Sequence, residues 1–368
     1  MKMKRFLQNF ALFSIALIVA GVIGEVTLRS FGIYGVRIDD LGPIVMVDDD
    51  VVPFRGRPNA EYIDSKYGIP VKRNSKGWRD YEYAYEKKEG VFRIVVLGDS
   101  VLNAHGVPQE DVWAKVLEKE LNERDPGHFE VIMLSIGALN TTHEAHLLEV
   151  EGVKYDPDLV LVGYILNDPA GLPVKTRAKP SSLDNIKLFF KQSSLLLHSW
   201  MLLKQTAWQV MDWNLRLTRR GIKNIQTDEY TAIHNDEKKW QGVVDGFRKI
   251  SRIAAERDIP GVVVIFPLLH KFTQYPWMEV HAKVAEEAKS EGLVAFDLLP
   301  TFNGIDEKEV RIGPGDYIHP NSKGHLLAGE AVYNFLVHQD LLENANAAAL
   351  SQTLKTQQAA SNKRAPRQ

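Results

Sequence analysis

The segment Phe92-Arg93-Ile94-Val95-Val96-Leu97-Gly98-Asp99-Ser100 decides the fold. Its first six residues are mostly apolar and rich in β-branched side chains, which reads as a short buried strand. Gly98 ends the run where the chain must turn. Residues 111–123 follow with Val112, Trp113, Val116, Leu117 and Leu121 at helical spacing. The same couplet recurs down the chain. Strands are predicted at 129–134, 159–164, 261–266 and 293–296, and helices at 141–153, 237–257, 277–291 and 321–336. The third strand is an almost continuous apolar run, as suits a parallel strand covered on both faces. Strands alternating with helices predict an α/β fold, a parallel five-stranded sheet with helices on both faces and right-handed crossovers.

The remainder of the 368 residues is arranged around that block. Residues 1–32 carry Lys2, Lys4 and Arg5 ahead of an apolar run from Phe10 to Ile23. The run lies between the length of a signal-peptide core and that of a spanning helix. It continues through Val26 and Leu28 past Glu25, so it reads as an uncleaved N-terminal membrane helix in preference to a cleaved signal, and to a buried helix of a soluble protein last of all. Either way the basic flank stays in the cytoplasm and the rest of the chain is extracytoplasmic. Residues 33–90 read as an irregular lead-in lobe with short strands. Residues 91–341 form the sheet domain, interrupted at 169–236 by a helical insertion read as an extra layer rather than a lid. Residues 342–368 lack any apolar pattern and read as a disordered tail.

Composition narrows the chemistry. Lys+Arg is 45 and Asp+Glu is 47, a net charge of −2, which argues against a polybasic nucleic-acid binder. There is no cysteine, which excludes disulfides, thiolate metal sites and a cysteine nucleophile. Asp48-Asp49-Asp50 lacks the ligand spacing of a calcium loop and reads as a solvated turn. His143 and His146 stand at i and i+3 with no third ligand in view, so they read as structural.

Ligands of open parallel sheets bind beyond the carboxyl ends of the strands. Three such ends carry polar residues: Gly98-Asp99-Ser100, the segment Ser135–Asn140, and Asn167-Asp168. A fourth segment, Asp316-Tyr317-Ile318-His319-Pro320-Asn321, leads into the last helix. A serine hydroxyl needs a base, and His319 can take its proton with one ring nitrogen while Asp316 holds the other. The oxyanion that forms needs fixed donors. The backbone N–H of Ser100, an N–H from Gly137 or Ala138, and the side-chain amide of Asn167 are the candidates. Neither a metal nor an organic cofactor is needed. Each motif alone is ordinary turn and capping chemistry. Asp99 and Asp168 read as carboxylates bracing loops, His105 as a pocket or loop histidine, and His325 as a helix residue near the site.

In this order the four blocks resemble those of the SGNH-hydrolase (GDSL esterase/lipase) superfamily over residues 91–340. Ser100 matches the nucleophile block, Asn167 the asparagine block, and Asp316 with His319 the last block. The second block departs from the family pattern. A glycine pair normally follows an asparagine there, whereas this chain has Leu134-Ser135-Ile136-Gly137-Ala138-Leu139-Asn140. Gly137 is the natural match, and alignment on Asn140 selects Ala138. The stretch Arg73-Asn74-Ser75-Lys76-Gly77-Trp78-Arg79 resembles the lead-in of membrane-anchored bacterial members. The resemblance implies a flavodoxin-like sheet and a serine esterase acting on acyl esters of a glycan or lipid. An O-acyltransferase that passes the acyl group to an envelope polysaccharide is the alternative, and a non-catalytic glycan binder on the same fold is a third reading.

Overall fold

The computed structural model describes residues 2–30, 44–64, 67–170, 199 and 227–342. Of the insertion expected at 169–236 only 169–170, 199 and 227–236 are described, the last containing a helix, and the tail expected at 342–368 lies outside the described residues but for Leu342. The chain divides into two compact units. One comprises Met1–Pro43, Ser65–Gly68 and Val174–Arg220; the other comprises Ile44–Asp64, Ile69–Pro173 and Gly221–Gln368.

Within the first unit, helix α1 (Lys2–Ser30) contains the apolar stretch Gln8–Leu28, whose mean hydropathy is 2.2. Among its described side chains none is buried, and Phe10, Leu12 and Ile18 are exposed. Its 21 apolar-stretch residues, at ~1.5 Å each, reach about 30 Å, the thickness of a bilayer's hydrocarbon core.

The second unit holds the sheet. It begins with two short antiparallel pairs, β1 (Ile44–Met46) with β2 (Phe54–Gly56), and β3 (Glu61–Ile63) with β4 (Pro70–Lys72). The main sheet is β5 (Phe92–Gly98), β6 (Phe129–Ser135), β7 (Leu159–Ile165), β8 (Gly261–Phe266) and β9 (Val294–Asp297). It is wholly parallel, in the order β6-β5-β7-β8-β9. All seven residues of β5 and of β7 are buried, which is why their sequences run apolar rather than alternating.

The connecting helices are α2 (Ser100–Asn103), α3 (Trp113–Arg124), α4 (Thr141–Val150), α5 (Thr227–Asn235), α6 (Glu237–Ala255), α7 (Met278–Ser290), α8 (Glu307–Val310) and α9 (Ser322–His338). The strand order reverses once, at β5. Right-handed crossovers therefore send α3 to one face and α4, α6 and α7 to the other. The packing agrees: α3 lies against α9, and α4 lies against α6. The five strands and their helices match the sequence reading to within a few residues at each end.

Residues 73–80 of the lead-in are built into this unit. Arg73, Trp78, Arg79 and Asp80 are all buried. The Asn74 side chain accepts from the N–H groups of Lys76 and Trp78 and so fixes the turn. Gly77 sits at φ +88, where a Cβ would meet the Gly56 carbonyl oxygen at 2.0 Å, so only glycine closes it.

Candidate active site

Strand β5 ends at Gly98, and Asp99 caps the short helix that follows by accepting from the Val101 N–H at 2.9 Å. A Cβ on Gly98 would meet that of Leu102 at 2.8 Å, so this tight strand-to-helix turn requires the glycine. The turn places Ser100 at the carboxyl end of an interior strand, as predicted from the sheet rule.

His319 and Asp316 come from the loop between α8 and α9. Asp316 accepts from the N–H groups of Ile318 and His319 at 3.2 and 2.9 Å, an Asx-type turn written by its own side chain. The loop is pinned on both flanks. Ile312 N–H donates to the His319 carbonyl, and Leu269 N–H donates to the Tyr317 carbonyl. Asn321 caps α9 by accepting from Gly324 N–H, and its amide donates to the carbonyls of Glu309 and Arg311.

These two segments meet. His319 Nε2 lies 2.9 Å from Ser100 Oγ, and Nδ1 lies 2.9 Å from each carboxylate oxygen of Asp316. The carboxylate only accepts, so Nδ1 carries the proton and Nε2 presents a lone pair to the hydroxyl. Burial pushes the Asp316 carboxyl up, but its hydrogen bonds and the charge of His319 outweigh that and hold it below the usual value. Asp316 is thus anionic at neutral pH, the state that supports an imidazolium.

The other predicted site residues stand nearby to different degrees. A Cβ built on Gly137 would lie 3.8 Å from Ser100 Cβ and 3.8 Å from His105 Nε2, so Gly137 faces the nucleophile. Ala138 sits beside it at φ +77, a conformation unusual for a residue with a side chain. Asn167 follows β7, and its side chain acts to lower the buried Asp99 carboxyl, which burial raises overall. Asp99 also accepts from Ser100 Oγ at 3.2 Å. Asp168 accepts from Thr141 Oγ1 at 3.2 Å. His325 is fully buried on α9 and accepts from Trp113 N–H at 3.3 Å.

The remaining candidates have protein partners. Asp49 caps its own turn through the N–H groups of Val51 and Val52 and lies 2.8 Å from His146 Nε2. His143 completes a reciprocal cap with Asn140 at the start of α4.

Three contributors escaped the sequence reading. The buried Arg79 guanidinium donates to the carbonyls of Asn103, Ala104 and Val107, holding the loop after α2. Asp64 reaches His105 at 3.1 Å. Glu144 is fully buried close behind Asp99 and Asp168, and burial first, then the charge of Asp99, push its carboxyl well up. None of these has a short-range sequence signal, because each depends on a partner distant in the chain.

A strand-end serine in contact with a histidine–aspartate turn, at the edge of a five-stranded parallel sheet, is an arrangement that can support nucleophilic acyl chemistry. Among solved structures, the chain is similar to one titled "Crystal Structure of TesA", at 14% identity and TM-score 0.40, covering 66% of this chain and 97% of that one. It is also similar to the acetyl xylan esterase AlAXEase, at 12% identity and TM-score 0.40, covering 67% and 100%. A third is the lipase/acylhydrolase from Enterococcus faecalis, at 13% identity and TM-score 0.39, covering 68% and 97%. No family model and no curated protein matches the chain.

Proposed function

We propose that the chain is an extracytoplasmic serine esterase that hydrolyses acetyl or other short-chain acyl esters through Ser100, His319 and Asp316. The observation that carries this reading is the unbroken contact from Asp316 through both nitrogens of His319 to Ser100 Oγ. Ser100 Oγ attacks the acyl carbon as His319 Nε2 takes its proton. The tetrahedral oxyanion is held by the N–H groups of Ser100 and of Gly137 or Ala138, with the Asn167 amide alongside. The C–O bond to the alcohol breaks, and the proton on His319 leaves with the alcohol oxygen. Water, deprotonated by His319, attacks the acyl-enzyme in turn, and Ser100 recovers the proton as the acid departs. The apolar helix α1 fits a membrane anchor that holds the domain beside an envelope glycan or lipid substrate.

Labelling with a fluorophosphonate tests the reading. Ser100 Oγ displaces fluoride at phosphorus, so wild type gains one adduct by intact mass and Ser100→Ala gains none. A folded wild-type chain that neither labels nor hydrolyses p-nitrophenyl acetate sinks the proposal.

A further inference from the structure

Asp64 stands on the first turn of the β3–β4 hairpin, and its backbone N–H donates to the Ile69 carbonyl at 2.8 Å. Its carboxylate lies 3.1 Å from His105 Nδ1 and is mostly buried, with 11% of the side chain exposed. The carboxylate accepts, so His105 Nδ1 carries a proton. On the other side of the ring, Nε2 is 3.2 Å from the amide nitrogen of Asn103, which is buried on α2. The imidazole is therefore gripped at both nitrogens, and the loop that carries it is tied down by Arg79. Nε2 stands 3.8 Å from the position a Cβ would take on Gly137, and that same point is 3.8 Å from Ser100 Cβ. Ser100, the open face of Gly137 and His105 thus bound one small space at the reacting serine. Nearly half of the His105 side chain is exposed, so the ring borders this space rather than filling the core.

We propose that His105, positioned by Asp64, is the residue that limits acyl length at Ser100. The inference rests on the esterase reading and deepens it by assigning its short-chain preference to a side chain. A ring held at both nitrogens cannot swing aside as a free histidine can. A long acyl chain entering beside Gly137 meets it as a wall. Displacing the ring breaks both of its hydrogen bonds, and the cost of leaving their buried partners unmet opposes the longer chain. An acetyl group fits the space without moving it.

The test is the ratio of kcat/KM for p-nitrophenyl octanoate to that for p-nitrophenyl acetate, measured on the full chain in detergent. A ratio cancels any loss of active fraction. Wild type favours the acetate. His105→Ala raises the octanoate-to-acetate ratio at least tenfold, and Asp64→Asn, which loosens the ring, raises it by a smaller factor. His105→Gln retains bulk and polarity and keeps the ratio near the wild-type value. A ratio for His105→Ala within twofold of wild type overturns the proposal. So does a change confined to the alcohol, in which the preference between p-nitrophenyl acetate and an acetylated oligosaccharide shifts while the acyl series does not. Fluorophosphonate labelling of Ser100 in each variant separates this failure from failure of the esterase reading, because an unlabelled wild type condemns the latter alone.

Discussion

At the scale of single residues, the site divides into groups that react and groups that hold. Replacing Asn167 by Ala removes the amide proposed as an oxyanion donor and is expected to lower kcat roughly 10²–10³-fold with little change in KM. Asp316→Asn keeps the shape of the turn but removes the charge that supports the imidazolium. It is expected to lose at least as much kcat, and near wild-type turnover would take Asp316 out of the mechanism. Buried histidines give a separate signature in acid. Burial holds His325 down to about 3 and His234 down to about 4, against an ordinary value of 6.5. In the unfolded chain both take up protons below about pH 6.5, while in the folded chain they do not until near those lower values. The unfolded state thus binds more protons in this window, and stability falls as pH falls, by about 1.4 kcal/mol per pH unit per histidine. Urea unfolding across pH 6.5 to 4 checks this: His325→Asn should show a shallower slope than wild type, whatever its absolute stability. An unchanged slope would mean that His325 does not stay neutral.

At the scale of elements, the lead-in segment is a clamp on the nucleophile side of the sheet. Lys115 on α3 and Asp80 are both buried and 2.6 Å apart. Burial alone lowers the Lys115 ammonium, but Asp80 and Glu118 more than offset it and raise the group overall. Asp80 also accepts from the Met133 N–H of β6 at 2.7 Å. Asp80→Ala leaves the buried Lys115 ammonium with Glu118 as its only carboxylate partner and should cost about 3–5 kcal/mol in urea unfolding, whereas a salt-sensitive loss under about 1 kcal/mol would place the pair at the surface. This clamp was not legible in the sequence, where residues 33–90 read as an irregular lobe. Buried charges such as Arg79 and Asp80 look like solvated ones until their partners arrive from 24 to 53 residues away. The strands were legible because a strand covered on both faces has to be apolar throughout, as β5 and β7 are. The position of Ser100 was legible because a parallel sheet puts its polar residues after strand ends, and that of Asp316 and His319 because their motif leads into the last helix. What could not be read was the choice within the second block. The structure turns Gly137 toward Ser100 and places the left-handed backbone at Ala138, the reverse of what residue type alone favours.

At the scale of the whole molecule, an average composition hides two unlike parts. One is a helix in which no described side chain is buried. The other is a sheet domain with ordinary burial. The full chain is expected in the membrane fraction, resistant to high salt and extracted by detergent. Removal of residues 2–30 should release a protein that still labels at Ser100. A full-length chain recovered in the aqueous fraction with its N-terminus intact would contradict the anchor, and a new N-terminus near residue 24 would identify a cleaved signal.

Asp316 and His319 are three residues apart and close their contact inside one turn, while Ser100 is 219 residues away. A constellation of three residues therefore has one long-range coordinate to set, the gap between the end of β5 and the loop ahead of α9. That gap is gauged where α9 rests on α3. A Cβ on Gly329, about two turns beyond the start of α9, would meet Val116 Cβ at 2.6 Å and the Trp113 carbonyl at 2.7 Å. Gly329 acts as a shim: one methyl group there lifts the helix, and with it the histidine, off its alignment with the serine. The alignment of His319 with Ser100 thus depends on a helix contact that lies outside the proposed site.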